Sequence, residues 1–365
     1  MKITFLSLKQ FRNFHDIEIN FKKKHNLFYG NNAQGKTNLL EAIYYCSYFS
    51  SFRNSRQEQL INKNADHFSI AMRYEHNSLT NLLKINYYNK HKNIIYNNKK
   101  MRNPAAHYKK FITILFSNED MQLINGSPAV RRIFIDRLLS HISDEYHYII
   151  KRYTKIIKNR NLELKTGNDP SKWNEVYLNY ALKIVNARLS FLKILNKYFS
   201  TIINTLYGAE LKPELYYLLN NKIIKPAELY TRHSYLQAGD NFLEIEKIKK
   251  NTVFGPHKDD LLFKINGMDL KDFGSQGQKR IFIYALKFTI FKYLKSSFDN
   301  EPILLLDDIF SDLDNIRIKN FFNYLEKCSQ VFLSSANYFI LKDHISNFDL
   351  FSIKNNSITN GTFVH

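Results

Sequence analysis

The amino-acid sequence predicts an α/β fold, built of mixed sheets with flanking helices and carrying an inserted helical lobe. Three observations predict it. Residues 30–37 read Gly-Asn-Asn-Ala-Gln-Gly-Lys-Thr, between the apolar end of a strand-like run and a helix-like run. Residues 303–306 are four consecutive aliphatics followed by Asp307-Asp308. From about Ala129 to Tyr207, apolar residues recur at helical spacing.

At 365 residues the chain exceeds one ordinary domain, so two lobes are expected. Hydrophobic content of 44% is ample for a core, and no apolar run reaches the length of a membrane span. The start, Met-Lys-Ile-Thr-Phe-Leu, leads into a strand and lacks the form of a signal peptide. Cys46 and Cys328 lie far apart in apolar contexts and read as buried thiols of a reducing compartment. The net charge of +20 favours a polyanionic partner. A chain crowded with Lys, Asn, Ile, Tyr and Phe has a compositional cause for that charge too, so charge alone argues only weakly for DNA.

The first thirty residues read as strands: Ile3–Leu6, the alternating Ile17–Phe21, and Asn26–Tyr29, with Phe11-Arg12-Asn13-Phe14 between the first two. The glycine-bearing loop follows, then a helix from Asn38 to Tyr45. Strand, loop, Lys-Thr and helix is the setting of a phosphate-binding P-loop. Backbone N–H groups of Gly30, Asn31, Asn32, Ala33, Gln34, Gly35, Lys36, Thr37 and Asn38 would cradle the phosphates of ATP. Lys36 would reach the β- and γ-phosphates, and Thr37 would hold Mg²⁺.

Residues 67–115 alternate in short bursts and read as an antiparallel sheet, with a turn at Asn97-Asn98 and a buried strand at Ile112–Phe116. Helical spacing follows Gly126-Ser127-Pro128, and Gly167-Asn168-Asp169-Pro170 breaks it, so two long antiparallel helices are expected. No very long coiled coil has room. Residues 208–250 show no single pattern. Sequence of the nucleotide-binding type resumes at Thr252. The strand Leu261–Ile265 and the hairpin turn Asn266-Gly267 come first. A helix runs from Ser275 through Ile290, and apolar strands lie at Ile303–Leu306 and Val331–Leu333. The expected organisation is a head of 1–134 and 246–365 with a helical lobe of 135–245 inserted.

Asp307, at a strand's C-terminal end, is the expected second metal ligand beside Thr37. Asp308 would face the attacking water, making Lys36, Asp307 and Asp308 the catalytic candidates; a helix cap is the plainer alternative for the aspartates. Ser275-Gln276-Gly277-Gln278 opens a helix and offers a hydroxyl and free N–H groups to a γ-phosphate. Taken alone, it reads equally well as an N-cap.

The order of P-loop, Ser-Gln-Gly-Gln, Asp-Asp and Ser311-Asp312-Leu313-Asp314 resembles the ABC-type ATPase heads of the SMC group. Within that group the chain is most similar to the RecF family of bacterial DNA repair proteins. The likeness covers nearly the whole chain. It includes Leu8–Phe14, Gly30–Ile43, Gly126-Ser127-Pro128-Ala129-Val130-Arg131-Arg132, Gly255-Pro256-His257-Lys258-Asp259-Asp260 and Ile303–Asp308.

The resemblance implies a cytoplasmic, nucleoid-associated ATPase that binds duplex DNA, gaps and single-strand/double-strand junctions. It implies RecR and RecO as partners in loading RecA at gaps and stalled forks. ATP would close a homodimer of heads, and slow hydrolysis would open it. On the same resemblance Ser275 reaches the partner's γ-phosphate, and Ser311, Asp312, Leu313 and Asp314 form the loop that crosses the dimer interface. Four places depart from common patterns: Ala33 stands for a frequent glycine, and Asp308 for the glutamate of many ABC ATPases. Ser117-Asn118-Glu119-Asp120 lacks a proline, and Ser334-Ser335 occupies the place of a transporter's switch histidine.

Arg53, Arg56, Arg131 and Arg132 are the candidate DNA contacts, with internal ion pairs as the alternative. For Arg131-Arg132, which follow Gly-Ser-Pro-Ala-Val, locking the lobes together is a further alternative. A transporter ATPase is disfavoured by the Phe-Arg-Asn-Phe start, and a clamp that binds ATP without turnover by the paired aspartates.

Overall fold

The computed structural model describes residues 1–360 apart from 54, 103–106, 108–109, 208–210, 226–228, 240–241, 299–300 and 311–312. The chain divides into two compact units, Met1–Asp120 with Phe291–His365, and Met121–Ile290.

In chain order the strands are β1 (Lys2–Phe11), β2 (Phe14–Asn20), β3 (His25–Tyr29), β4 (His67–His76), β5 (Leu79–Tyr88), β6 (His91–Tyr96), β7 (Lys99–Lys100) and β8 (Thr113–Phe116). They continue as β9 (Pro213–Leu219), β10 (Lys222–Ile224), β11 (Asp260–Ile265), β12 (Met268–Asp269), β13 (Ile303–Asp307), β14 (Val331–Ser335), β15 (Phe348–Lys354) and β16 (Ser357–Asn360).

The first unit holds two sheets. One is antiparallel, in the order β2-β1-β4-β5-β6-β7; the alternation over 67–115 predicts the pairing of β4 to β7, and β1 and β2 join them. The other runs β16-β15-β3-β14-β13-β8, and β15, β3, β14, β13 and β8 are mutually parallel. Its central strands are apolar throughout because they are buried on both faces; Ile303 to Leu306 are wholly buried. The helix Lys36–Tyr48 packs against both sheets, and its residues from Leu39 to Ser47 are all buried. A helix buried on every side has no polar face to lose, and its small amphipathic character follows.

Parallel pairing aligns the strand ends. Asp307 is level with Ser334, and Ser335 with Tyr29. The P-loop, the Asp-Asp pair and Ser334-Ser335 therefore emerge along one edge, where open α/β sheets bind ligands.

The second unit differs from the expected pair of helices. Over 128–207, where two were expected, the described residues form three: Pro128–Ile142, Asp144–Thr166 and Ser171–Tyr207. The additional break is at Ser143, whose side chain accepts from Tyr146 N and caps the second helix. Gly167, with φ +77, ends that helix as the sequence suggests. The unit also contains a sheet, β10-β9-β11-β12. Residues 213–224 supply two of its strands, and Leu261–Ile265 pairs with the first of them, β9, rather than with the nucleotide-binding sheet. The compact units are bounded at 120/121 and 290/291, beside the expected 134/135 and 245/246, and this pairing ties 260–265 to 213–218 within one unit. The Asn266-Gly267 turn joins β11 to β12 as expected.

Candidate active site

β3 delivers the chain to Gly30, whose φ of +149 and close approach to Ile353 O leave no room for a Cβ. Gly35, at φ +107, caps the helix, and a Cβ there would meet the Asn13 side chain. Ala33 also sits in the left-handed region, at φ +65, a conformation that costs a non-glycine residue about 1 kcal/mol.

Lys36 is only 6% exposed and lies over the loop. Its ammonium donates to Gly30 O at 2.7 Å and Asn31 O at 2.8 Å. Burial lowers its pKa, while Asp308 and then Asp307 oppose the shift. The lysine is therefore held at the loop as a desolvated cation within the field of two carboxylates.

Asp307 ends β13. Its Oδ1 accepts from Thr37 Oγ1 at 2.8 Å and from Ser334 Oγ at 2.7 Å. Burial pushes its pKa up, against the hydrogen bonds from Ser334 and Thr37. A hydroxyl and a carboxylate at the first turn of a P-loop helix are hard oxygen donors of the kind Mg²⁺ takes. Among the described residues no group of three or more His, Cys, Asp or Glu stands ready to hold a metal ion. A Mg²⁺ held by Thr37 and Asp307 would complete its shell with phosphate and water oxygens.

Asp308 has φ +50, so the chain turns sharply straight after Asp307. Its N–H points at Ser334 O (3.2 Å) and Ser334 Oγ (3.1 Å). Strained backbone of this kind is a frequent companion of functional residues. Ser334 touches both aspartates and was not singled out as a site residue from sequence. Its signal was the Ser-Ser pair closing an apolar strand.

Sequence reasoning also passed over the shell behind the P-loop. Arg12 donates to both oxygens of fully buried Glu41, at 2.8 Å each, and to Ser55 Oγ. Ser51 Oγ bonds the same carboxylate. Asn13 Nδ2 donates to Gln34 O (3.0 Å), and Asn13 Oδ1 accepts from Asn38 Nδ2 (2.7 Å). Arg12, at φ +55, marks an irregular strand end that hydropathy patterns do not reveal.

Arg53 belongs to this shell. It donates to Asn38 Oδ1 at 3.0 Å and faces Glu41 at 3.9 Å. Arg56 is exposed. Glu119, in the loop after β8, has its pKa raised by burial and by Asp120, Asp307 and Glu41, against the pull of Arg53. The 117–120 loop is thus electrostatically coupled to the site, and Asp120 caps it by accepting from Ser117 N.

In the second unit, Ser275 and Gln278 form a reciprocal cap: Gln278 N donates to Ser275 Oγ, and Ser275 N to Gln278 Oε1. Ser275, Gln276 and Gly277 are exposed, and a Cβ on Gly277 would meet only open space. Arg131 is 5% exposed and forms two bonds to the Asp260 carboxylate, at 2.7 and 2.8 Å. It also donates to the carbonyls of Leu123, Ile124 and Gly126. These donors are spent within its own unit, the arrangement of the internal ion pair that is the alternative to a DNA contact. Arg132 donates to Asp259 O and remains partly exposed. Ser311 and Asp312 lie outside the described residues. Asp314 caps the helix Asn315–Leu325, its side chain accepting from Arg317 N, and Leu313 N bonds Phe310 O.

The family model described as RecF/RecN/SMC N terminal domain matches residues 2–359. The DNA replication and repair protein RecF of Natranaerobius thermophilus is 36% identical over 352 residues, covering 92% of this chain and 91% of its own. The chain belongs to the RecF family. RecF of Clostridium acetobutylicum is 33% identical over 365 residues, covering 98% of this chain and 99% of its own. A solved structure of the recombination mediator protein RecF-ATP in the RecFOR pathway is 28% identical, with a TM-score of 0.88 over 99% of this chain and 98% of that one. The Smc head domain of Pyrococcus furiosus, at 16% identity and a TM-score of 0.57 over 99% of this chain and 96% of that one, shares the fold. The chain is thus an ABC-type P-loop head of the RecF kind, and its site is that of an ATPase.

Proposed function

We propose that this RecF-family chain is a DNA repair ATPase that grips duplex DNA at gaps and junctions as an ATP-closed homodimer, and releases it on slow hydrolysis. The observation that carries the reading is the meeting of Thr37 and Asp307 beside Lys36. Lys36 offsets the phosphate charge, and the P-loop amides orient it. Mg²⁺, held by Thr37 and Asp307, would supply charge neutralisation of the phosphates. Asp308 orients the attacking water and draws its proton.

Exposure of Ser275 and open space beside Gly277 support a second copy reaching that helix start, where N–H groups favour an anion. A formal charge of +20 supports a nucleic-acid partner, with Arg56 and Arg132 as phosphate contacts. Among the described residues no helix is long and apolar enough to cross a membrane. A cytoplasmic, nucleoid-associated place and help from RecR and RecO in loading RecA fit this reading.

The test is ATPase rate and dimerisation, measured with and without gapped duplex DNA. Lys36→Met should lose ATP-dependent dimerisation with its fold intact. Asp308→Asn should keep ATP affinity, lower turnover by about a hundredfold or more and prolong the dimer. A Lys36→Met protein that still dimerises on ATP would sink the assignment.

A further inference from the structure

Asn355 and Asn356 are the central residues of the two-residue turn that joins β15 to β16, with φ of +50 and +62. Positive φ at both positions is what such a hairpin requires, and asparagine tolerates it. Asn97-Asn98 and Asn220-Asn221 make similar turns. The turn at 355–356 differs in what it touches.

Asn355 N donates to the Gln34 side-chain oxygen at 2.7 Å. Asn13 Nδ2 donates to Asn356 Oδ1 at 2.5 Å while also holding Gln34 O. Two residues before the turn, Ile353 O lies against Gly30, so close that a Cβ could not fit. The hairpin is kept there by parallel pairing of β15 with β3, which places Ser352 level with Tyr29. Both ends of the phosphate-binding loop therefore rest on the C-terminal hairpin. In the middle of the loop Lys36 Nζ holds Asn31 O at 2.8 Å, while Asn31, Asn32 and Ala33 are exposed and Ala33 has a left-handed backbone.

We propose that the Asn355–Asn356 turn is a clasp that holds the P-loop in its phosphate-receiving shape, so that Asn355 and Asn356 are positioning residues for nucleotide affinity. The inference rests on the ATP-binding reading above. Preorganisation is its physical content: a loop already fixed spends less of the binding energy on ordering. The clasp acts before chemistry, so it governs affinity and leaves the reacting groups Lys36, Asp307 and Asp308 untouched.

Asn356→Gly keeps the left-handed turn without strain and removes only the acceptor. ATP titration of the full chain should give a dissociation constant about fivefold weaker, the loss of one ordinary hydrogen bond. Turnover at saturating ATP should stay within about a factor of two, and amides 31–36 should exchange faster without nucleotide. Gln34→Ala cuts the other contact from the loop side, leaves the hairpin alone, and should shift affinity in the same direction. It decides the matter if Asn356→Gly does not fold. Unchanged affinity in both variants, or a fall in turnover with KM unchanged, overturns the clasp. Failure of the unaltered chain to bind ATP overturns the proposed function, and the clasp with it.

Discussion

Thr37 and Asp307, 270 positions apart in the chain, share a hydrogen bond of 2.8 Å. A threonine on the first turn of one helix meets an aspartate at the end of a buried strand because β14 lies between β3 and β13 in parallel register. Ser334, on β14, completes the contact with a 2.7 Å bond to the same carboxylate oxygen.

Asp307→Asn keeps the size of the side chain and removes its charge. Its burial already disfavours that charge, so the fold should tolerate the change or gain slightly in stability. ATP binding in Mg²⁺ should weaken by about 2 kcal/mol, while binding in EDTA should hardly change. Titration in the two buffers checks this, and equal losses in both would exclude Asp307 from the metal.

Ser275 serves its own helix as a cap, and that role can be separated from a role in a partner's site. Ser275→Asp keeps the cap, since aspartate caps as well as serine, and places a negative charge where a γ-phosphate would arrive. Thermal stability and monomer ATP binding should match the unaltered chain, while dimer closure and turnover disappear. A Ser275→Asp chain that still closes on ATP, seen by light scattering, would leave Ser275 as a cap only.

Three of the four arginines should separate by environment. Arg56→Ala should weaken duplex binding evenly across sequences and reduce the salt slope by about one. Arg53→Ala should act on ATP binding instead, because Arg53 braces Asn38 and Glu41. Arg131→Ala should destabilise its unit by about 3 kcal/mol by leaving Asp260 without its partner. Filter binding over a salt series and thermal melts distinguish these outcomes, and an unchanged salt slope in Arg56→Ala removes it from the DNA surface.

Acid should loosen the first unit through His107. Burial lowers its pKa from 6.5 to about 4, against the bond to Cys46 O, so the fold holds it neutral. Its contribution is complete above the unfolded value of 6.5 and is lost as pH falls towards 4, at about 1.4 kcal/mol per pH unit over the window. His107→Phe, among Phe49, Tyr74 and Phe111, should therefore lose less melting temperature between pH 7 and pH 4.5 than the unaltered chain. Parallel curves for the two proteins would assign the acid sensitivity elsewhere. In the second unit His257, also lowered to about 4, acts in the same direction. Asp259, raised to about 6, opposes it: its contribution is complete below 3.8 and lost as pH rises through 6.

The sequence by itself determined what local pattern encodes. Gly-Asn-Asn-Ala-Gln-Gly-Lys-Thr set the P-loop, Ile303–Leu306 before Asp307 set the buried strand, and alternation over 67–96 set the antiparallel sheet, because backbone periodicity is complete within a short window. Tertiary structure decided what depends on which distant faces meet. It joined β11 to β9 across forty residues of unpatterned chain, spent Arg131 on Asp260, turned Arg53 inward to Glu41, and placed Ser334 on Asp307 and the Asn355–Asn356 turn on Gln34. An arginine's partner or a strand's neighbour is fixed by register and burial between segments, and no local window contains both.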